Sequence, residues 1–472
     1  MIHFVPRIFA SPGPEPARNI LLFRIAWLVP FILLASPAWP QDSEPQKTQS
    51  GSSVAPRYAD MPDEAVPYRN FTKPYKGWYT EANTLEYNGA ARERRSMDLY
   101  GPPTVNIGFL GPIENNPEST YGLAMLHGAQ MAVDEANVAG GYLPGGMSAP
   151  KLYALKVHND AALWGASSSE LVKMDFDEHV VAMLGSIDGA STHIALRVTL
   201  KLEIPIVDTG TTDPTVTETR IPWLLHNFPD DRQQGYALAE YIFKQLKLKR
   251  IGVLRTQSRY ARVGVEKFDD EARRLGHPPL QELKFERGDQ NFSDQLRMLK
   301  NARLDGVVIW GESTEAARIL KQMRAMGIGL PVFGPSRLAY PQILSDAGAA
   351  AEGLVTTCGL DPSRTDPKWQ GFRERYRQRF NEEPDAYAAR SYDGMTMLLA
   401  AIAQGELNRA RVMDTLRGYQ LKDVEGVAGR AHFDRTLNNI APVTMARVSQ
   451  GKFVYWTPPR QPASATEKAR GN

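Results

Sequence analysis

Short β-rich segments alternate with longer amphipathic segments from about residue 105 onward. Eight apolar, β-branched segments predict strands: Val105–Leu110, Leu152–Val157, Val180–Leu184, Ile204–Asp208, Arg250–Leu254, Gln281–Phe285, Gly306–Trp310 and Pro331–Phe333. Helical spacing of apolar residues predicts helices over Tyr121–Val138, Asp231–Leu246, Val263–Leu275 and Ser313–Met326, the last with Ser313 as N-cap. Repeated β-α units imply parallel sheets covered by helices. Two successive sets of four strands therefore predict two α/β lobes.

Small polar residues fill the turns after two of these strands. Gly-Ser-Ile-Asp-Gly-Ala-Ser-Thr follows Leu184, and Asp-Thr-Gly-Thr-Thr-Asp-Pro follows Val207. Ligands of open parallel sheets lie beyond the carboxyl ends of the strands, where backbone N–H groups and hydroxyls suit a carboxylate. The alternative is that these residues are ordinary caps and turns. Because both turns occupy equivalent places, we expect a ligand site there.

The composition is that of a globular protein with two or three structural units in 472 residues, 42% of them hydrophobic and 23% charged. The net charge of +2 gives no field that would favour nucleic acid, so we expect no nucleic-acid partner. The single cysteine, Cys358, excludes an intramolecular disulfide and a cysteine-rich zinc site.

The first 38 residues have the pattern of a secretory signal peptide. Three arginines precede the apolar segment Ile25–Leu34, and small residues follow it up to Ala38. This order predicts cleavage after Ala38 and export to the periplasm. The ten-residue apolar segment is short for a membrane span, which needs about 20 residues, and the alternative is an uncleaved anchor over Ile20–Leu34. No cysteine lies near the cleavage point, so we expect no lipid anchor.

Residues 39–103 separate this leader from the α/β pattern. Residues 39–60 are rich in Gln, Ser, Pro, Asp and Lys and predict a disordered linker, as residues 457–472 predict a disordered tail. Residues 61–103 are rich in aromatic residues, among them Tyr68, Phe71, Tyr75, Trp78, Tyr79 and Tyr87. We expect an arm packed on the body of the protein, since aromatic side chains usually serve burial; the alternative is a docking segment for a partner.

Motifs of catalysis and of metal or nucleotide binding are absent from the sequence. It contains no G-x-S-x-G, H-E-x-x-H, C-x-x-C or G-x-x-x-x-G-K-[ST]. We therefore expect no cofactor and no enzymatic activity. The alternative is an exported enzyme that uses Asp188, His158 or Glu312.

An ordered set of motifs between Val105 and Trp456 carries a family resemblance. In chain order they are Ile107–Pro112, Tyr121–Asn137, Leu184–Thr192, Ile204–Pro214, Phe228–Gly235, Tyr387–Gly394 and Phe433–Asp434. The set resembles the periplasmic substrate-binding proteins of branched-chain amino acid ABC transporters. The resemblance implies the type I periplasmic-binding fold, in which a hinge joins two Rossmann-like lobes that close on a ligand. It implies a first lobe of residues 104–228 plus 358–429 and a second of 229–357 plus 430–456.

The resemblance also implies the ligand site: Tyr121, Ile187, Asp188, Gly189, Ser191, Gly210, Thr212, Tyr260, Glu312, Ser336 and Arg337. Tyr121 and Tyr260 correspond to aromatic residues that line the cleft. Thr212 corresponds to the hydroxyl that receives the ligand carboxylate. Gly189 lacks a hydroxyl that the family carries, and Ser191 is the candidate replacement.

Two positions depart from the family pattern. The family's amino acid binders carry an aromatic residue at Glu312 and, at Ser336, a glutamate that pairs with the ligand's ammonium. An unpaired buried ammonium costs several kcal/mol. Either Asp188 or Glu312 replaces that glutamate, or the ligand is not an α-amino acid. An inward-facing Arg337 favours a carboxylate-bearing or oxygen-rich solute, whereas the alternative is that Arg337 faces solvent.

The sequence therefore predicts a monomeric periplasmic protein that captures a small polar or carboxylate-bearing molecule and delivers it to an ABC transporter permease. The second hypothesis is a ligand-sensing or docking subunit of the same fold for a membrane or periplasmic partner. The aromatic arm favours it, and the arm and altered cleft also resemble binding-protein relatives encoded with quinone-dependent alcohol oxidation systems. The exported enzyme is the third hypothesis.

Overall fold

The structure, a computed structural model, describes residues 103–143, 149–160 and 164–458. The predicted signal peptide, the linker and the aromatic arm up to residue 102 lie outside the described residues, as does the predicted tail from residue 459.

A five-stranded parallel sheet forms the centre of the first lobe. Its strands are β1 (Thr104–Gly111), β2 (Leu152–Asn159), β3 (Ala182–Leu184), β4 (Ile206–Asp208) and β5 (Leu224–His226), in the order β2-β1-β3-β4-β5. In register, Ile107 pairs with both Leu155 and Ala182. The helices between the strands are α1 (Ser119–Val138), α2 (Trp164–Phe176), α3 (Gly189–Leu202) and α4 (Thr215–Glu218). Their crossovers bring the carboxyl ends of all five strands to one edge.

The chain then forms the second lobe around a second set of parallel strands. These are β6 (Ile251–Thr256), β7 (Gln281–Phe285), β8 (Gly306–Trp310), β9 (Val332–Gly334) and β10 (Val355–Cys358). The helices are α5 (Asp231–Ala239), α6 (Arg259–Arg274), α7 (Ser293–Asn301), α8 (Ser313–Ala325) and α9 (Pro341–Ala347). A π-helical turn, Glu240–Gln245, continues α5, and a 3-10 turn, Ser336–Leu338, follows β9.

The C-terminal part of the described chain adds helices to the first lobe and strands to the second. The helices α10 (Pro367–Phe380), α11 (Ala386–Gly405) and α12 (Arg409–Arg417) lead to a hairpin of β11 (Asp423–Gly426) and β12 (Gly429–His432). The antiparallel strands β13 (Thr444–Ser449) and β14 (Lys452–Trp456) then complete a seven-stranded sheet of order β14-β13-β10-β9-β8-β6-β7.

Separate hydrophobic cores hold the two lobes. The first joins β1–β5 to α11 and α12, with Ile107 and Val207 packed in one cluster with Leu398 and Val412. Each such buried aliphatic side chain stabilises the fold by about 1.5–3 kcal/mol. Phe433 also belongs to this core, and the chain rejoins the second sheet only at β13. The lobe boundaries that the resemblance implies stay a prediction.

The predicted α/β fold with two parallel sheets is confirmed, with differences in detail. The sheets have five and seven strands instead of four each, because β5, β10, β13 and β14 were not predicted. The predicted N-cap at Ser313 is wrong: Glu312 is the extended cap residue, without a side-chain cap bond, and Ser313 is the first helical residue. The predicted helix Asp231–Leu246 is α5 followed by a π-helical turn.

Candidate functional site

The segment that crosses from β5 to α5 is fixed by one aspartate. Asp230 caps α5: its Oδ1 accepts from the backbone N of Arg232 and Gln233, at 2.9 and 3.0 Å. The Gln233 side chain accepts in return from the Asp230 backbone N at 2.9 Å. Asn438 Nδ2, from the returning chain, donates to Asp230 Oδ2 at 3.0 Å. This capping box sets the direction in which the chain enters the second lobe.

The turn between β3 and α3 is the first predicted carboxylate turn. Ile187 is buried, and the Asp188 side chain caps α3 by accepting from Ser191 N at 3.2 Å. A Cβ on Gly189 would lie 2.2 Å from Asp213 Oδ2. Because glycine has no side chain, this turn can pack against the turn between β4 and α4, which contains Asp213. The structure therefore uses the Asp188 carboxylate as a helix cap.

The turn between β4 and α4 is the second predicted carboxylate turn. Asp208 Oδ1 accepts from the backbone N of Gly210 and Thr211, at 3.0 and 3.1 Å. The Thr212 hydroxyl donates to Asp231 Oδ2 at 3.0 Å. Burial raises the pKa of Asp208 to about 7 and holds the pKa of Asp231 well above its usual range. The two groups assigned to the ligand carboxylate, Gly210 N–H and the Thr212 hydroxyl, thus bond to buried aspartates here.

Arg337 lies at the centre of the cleft, and the alternative that it faces solvent is wrong. Its side chain is 2% exposed on the 3-10 turn after β9. Arg337 Nη1 donates to Glu312 Oε1 at 2.6 Å and to Glu118 Oε1 at 2.9 Å. Glu312 precedes α8 in the second lobe, whereas Glu118 precedes α1 in the first. The neighbouring Ser336 is buried, and its backbone N donates to Gln234 Oε1 at 2.8 Å.

Aromatic rings flank the guanidinium. The Arg337 guanidinium carbon lies 4.0 Å from the ring centre of Tyr260, a cation–π distance, and 5.7 Å from that of Tyr121. The Tyr121 hydroxyl donates to Glu312 Oε2 at 3.4 Å. The structure therefore brings four predicted site residues, Tyr121, Tyr260, Glu312 and Arg337, into one cluster.

The tyrosine cluster continues beyond Tyr121. Its ring centre lies 5.0 Å from those of both Tyr340 and Tyr387, and Tyr387 stacks on Phe228 at 4.9 Å. These rings come from α1, from the residue before α9, from α11 and from the crossover segment. Centroid distances of this size are those of attractive aromatic pairs.

Three buried polar groups of this cluster have no hydrogen-bond partner among the described residues: Arg337 Nε, the Tyr260 hydroxyl and the Tyr387 hydroxyl. A buried unsatisfied donor costs about 1–3 kcal/mol, so such groups are rare unless they have a function. The Arg337 bonds all leave from Nη1, which places its Nε and Nη2 outside every hydrogen bond formed within the described chain. The cluster therefore presents hydrogen-bond donors for which the described residues supply no acceptor.

Several residues of the cleft were missed by the sequence reasoning. The main ones are Glu118, Tyr340 and the pair of Asp213 and Arg259. Arg259 Nε lies 2.8 Å from Asp213 Oδ2. Tyr387 was recognised as part of a motif but not as a site residue. The sequence contains only a weak sign that Glu118 belongs to the site, which is its position close to Tyr121. Its partner Arg337 lies 219 positions further along the chain.

The described ranges contain neither a metal-binding cluster nor a membrane-spanning helix. No group of three or more His, Cys, Asp or Glu side chains there is arranged to hold a metal ion. Across the same ranges, no helix combines the length and the apolar character that a membrane crossing needs. Cys358 is a buried free thiol.

Two Rossmann-like lobes, with a polar, aromatic-lined cleft between them, define a two-lobed solute-binding protein. A family model described as "Periplasmic binding protein" matches residues 104–452. The chain belongs to the periplasmic binding protein family, and the resemblance seen in the sequence is confirmed. The family consists of substrate-binding proteins rather than enzymes, takes small-molecule ligands, typically works with ABC transporters and is extracytoplasmic.

Individual relatives agree with this assignment. The "Amino acid binding protein" of Pseudomonas aeruginosa is 24% identical over 336 residues, covering 70% of this chain and 87% of the relative. The "Leu/Ile/Val-binding protein homolog 1" of Brucella suis is 28% identical over 301 residues, covering 63% and 77%.

Solved structures share the fold. The branched-chain amino acid transporter substrate binding protein of Streptococcus pneumoniae, in complex with isoleucine, has a TM-score of 0.67 and 26% identity, covering 75% of this chain and 99% of that one. A solute binding protein from R. palustris, in complex with benzoate, has a TM-score of 0.66 and 17% identity, covering 77% and 98%. The type I periplasmic-binding fold is thereby established.

Proposed function

We propose that this protein captures a small carboxylate-bearing molecule without an α-ammonium group in the cleft between its lobes. The observation that carries the proposal is the bonding of Arg337. Two glutamates hold Nη1 and fix the guanidinium, while the Nε and Nη2 edge has no partner among the described residues. That edge is the fork that binds a carboxylate through two parallel hydrogen bonds.

Four described carboxylates of the cleft that could receive an ammonium group already have partners. Glu118 and Glu312 both pair with Arg337, Asp188 caps α3, and Asp213 pairs with Arg259. An α-amino acid would leave its ammonium unpaired or would break one of these bonds, and either is costly in a buried site. The benzoate complex of the R. palustris protein supports the proposal, because it shows that this fold accommodates a carboxylate ligand without an ammonium.

The remaining parts of the proposal follow from the family and the leader pattern. The protein acts as a monomer in the periplasm, after cleavage behind Ala38, and passes its ligand to an ABC transporter permease. It catalyses no reaction. The predicted site residues of the two turns line the cleft, while Arg337 binds the ligand carboxylate; they are Ile187, Asp188, Gly189, Ser191, Gly210 and Thr212. The lobes follow the boundaries that the resemblance implies.

The test is mass spectrometry of the protein purified from its native periplasm, first native and then denatured, followed by calorimetry with the compound released. We expect a carboxylate-bearing compound without an α-amino group. Arg337→Gln should weaken its binding at least about 30-fold, and Arg337→Lys should also weaken it, because lysine keeps the charge but loses the fork. Arg262→Gln, at an exposed position of α6, is the control and should bind normally. Release of an α-amino acid whose binding ignores Arg337 would overturn the proposal.

A further inference from the structure

The cleft carries more information about its ligand than the presence of a carboxylate. We infer that the ligand is an aromatic monocarboxylate, with its carboxylate on the Nε and Nη2 edge of Arg337 and its ring against the tyrosine faces beside it. The inference rests on the proposed function, because it assumes that the cleft around Arg337 binds the ligand.

The unpartnered groups match a single carboxylate. Arg337 Nε, Arg337 Nη2 and the hydroxyls of Tyr260 and Tyr387 are four donors without an acceptor in the described chain. A carboxylate offers about four acceptor positions on its two oxygens. A cationic ligand could use the phenol oxygens but would leave the guanidinium edge unsatisfied and would meet its positive charge.

The charge around Arg337 favours one carboxylate over two. Arg337 lies beside Glu118 and Glu312, and Arg287 Nη1 lies 3.9 Å from Glu118 Oε1. The charges of these two arginines and two glutamates sum to zero. The site therefore tolerates one added negative charge on the Nε and Nη2 edge of Arg337. A dicarboxylate would place a second negative charge near two glutamates, which is unfavourable.

The surfaces beside the donor edge are ring faces. Tyr260 covers the guanidinium at 4.0 Å and Tyr121 lies at 5.7 Å, with Tyr340 and Tyr387 each 5.0 Å from Tyr121. Tyr260 and Tyr340 are half-buried, whereas Tyr121 and Tyr387 are buried. Offset or edge-to-face ring pairs gain energy beyond the area they bury, which a saturated ring of the same size does not. The rings thus select a flat, aromatic ligand body.

The experiment is calorimetry of the full-length mature protein, refolded after removal of any bound compound, with benzoate, cyclohexanecarboxylate, succinate and L-leucine. We expect benzoate to bind about two- to tenfold more tightly than cyclohexanecarboxylate, and succinate more weakly than both. Equal or tighter binding of cyclohexanecarboxylate or succinate would overturn the aromatic inference and leave the proposed function intact. Binding of L-leucine alone would overturn both, and no binding by any of the four would count against the inference.

Variants of Tyr121 separate a ring effect from general damage. Tyr121→Leu should abolish the preference for benzoate over cyclohexanecarboxylate, whereas Tyr121→Phe, which keeps the ring, should retain it. Because the measured quantity is a ratio of two affinities in one protein, partial loss of folded material does not change it. A benzoate preference that persists unchanged in Tyr121→Leu would contradict the placement of the ligand ring.

Discussion

Asp208 is a carboxyl group buried at the end of β4, and its Oδ2 has no partner among the described residues. Burial raises its pKa from 3.8 to about 7. The folded protein therefore binds this proton more tightly than the unfolded chain. The resulting stability is fully present below pH 3.8 and is lost as the pH rises through 7. Between pH 5 and pH 8 this group alone should lower the free energy of unfolding by on the order of 2–3 kcal/mol.

Asp208→Asn, which imitates the protonated carboxyl, should flatten this pH dependence. Urea unfolding at pH 5, 6, 7 and 8 measures it in the wild type and the variant. Asp385 and Asp393, whose pKa values burial raises to about 6, should leave a residual slope. Asp346→Asn, at a half-buried position of α9, is the control. Equal slopes in the wild type and Asp208→Asn would show that Asp208 is ionised in the folded protein.

Single residues of the cleft were predictable where a motif fixed their place along the chain. Tyr121, Tyr260 and Arg337 were predicted to lie at the cleft, and the structure brings them together; their role in binding stays a prediction. Glu118 was not predicted, because its importance depends on a contact with Arg337 that folding alone creates. The bonds of Thr212 to Asp231 and of Gly210 to Asp208 were missed for the same reason.

At the scale of elements, the contact between α1 and α11 depends on a glycine. A Cβ on Gly128 would lie 2.1 Å from the backbone O of Ala388, which cannot move independently of α11. Gly128→Ala should therefore separate the helices and destabilise the protein by about 1–3 kcal/mol, although alanine favours helix more than glycine does. Since α1 carries Tyr121 and α11 carries Tyr387, ligand affinity should fall as well.

Thermal unfolding and calorimetry measure these two effects. Gly371→Ala is the matched control, because Gly371 also lies within a helix, α10, and its nearest obstacle is the flexible end of Arg375 at 3.4 Å. This control should be neutral or stabilised by up to about 1 kcal/mol. If Gly128→Ala proved as stable as the control, the packing of α1 against α11 would be looser than the structure shows.

Strands and helices long enough to show a repeat of apolar residues were predictable. Elements that form only through pairing with other strands were not. Gln281–Phe285 and Gly306–Trp310 match the predicted strands residue for residue. The three-residue strand β5 has too few positions to show a period and is held by pairing with β4 and by the bond from His226 N to Leu437 O. The antiparallel strand β13 pairs with β10, which lies far away along the chain, and β14 pairs with β13. Local sequence does not encode the pairing of β13 with β10.

At the scale of the whole molecule, the chain's own side chains connect the lobes across the cleft. Glu118 pairs with Arg337, Tyr121 bonds to Glu312, and Asp213 pairs with Arg259. The Glu118–Arg337 pair is largely buried, so removal of one partner leaves an uncompensated charge in the closed cleft. These contacts favour the closed form before any ligand is bound.

Glu118→Gln combined with Arg259→Gln should therefore shift the ligand-free protein towards an open form. Small-angle X-ray scattering should show a larger radius of gyration than in the ligand-free wild type. Calorimetry should show a weaker apparent affinity, because only the closed fraction holds the ligand fully. Glu282→Gln is the control: it breaks an ion pair of 2.6 Å to Arg255 within the second lobe and should leave the scattering unchanged. Identical scattering of the double variant and the wild type would mean that packing at the hinge, rather than the ion pairs across the cleft, sets the closure equilibrium.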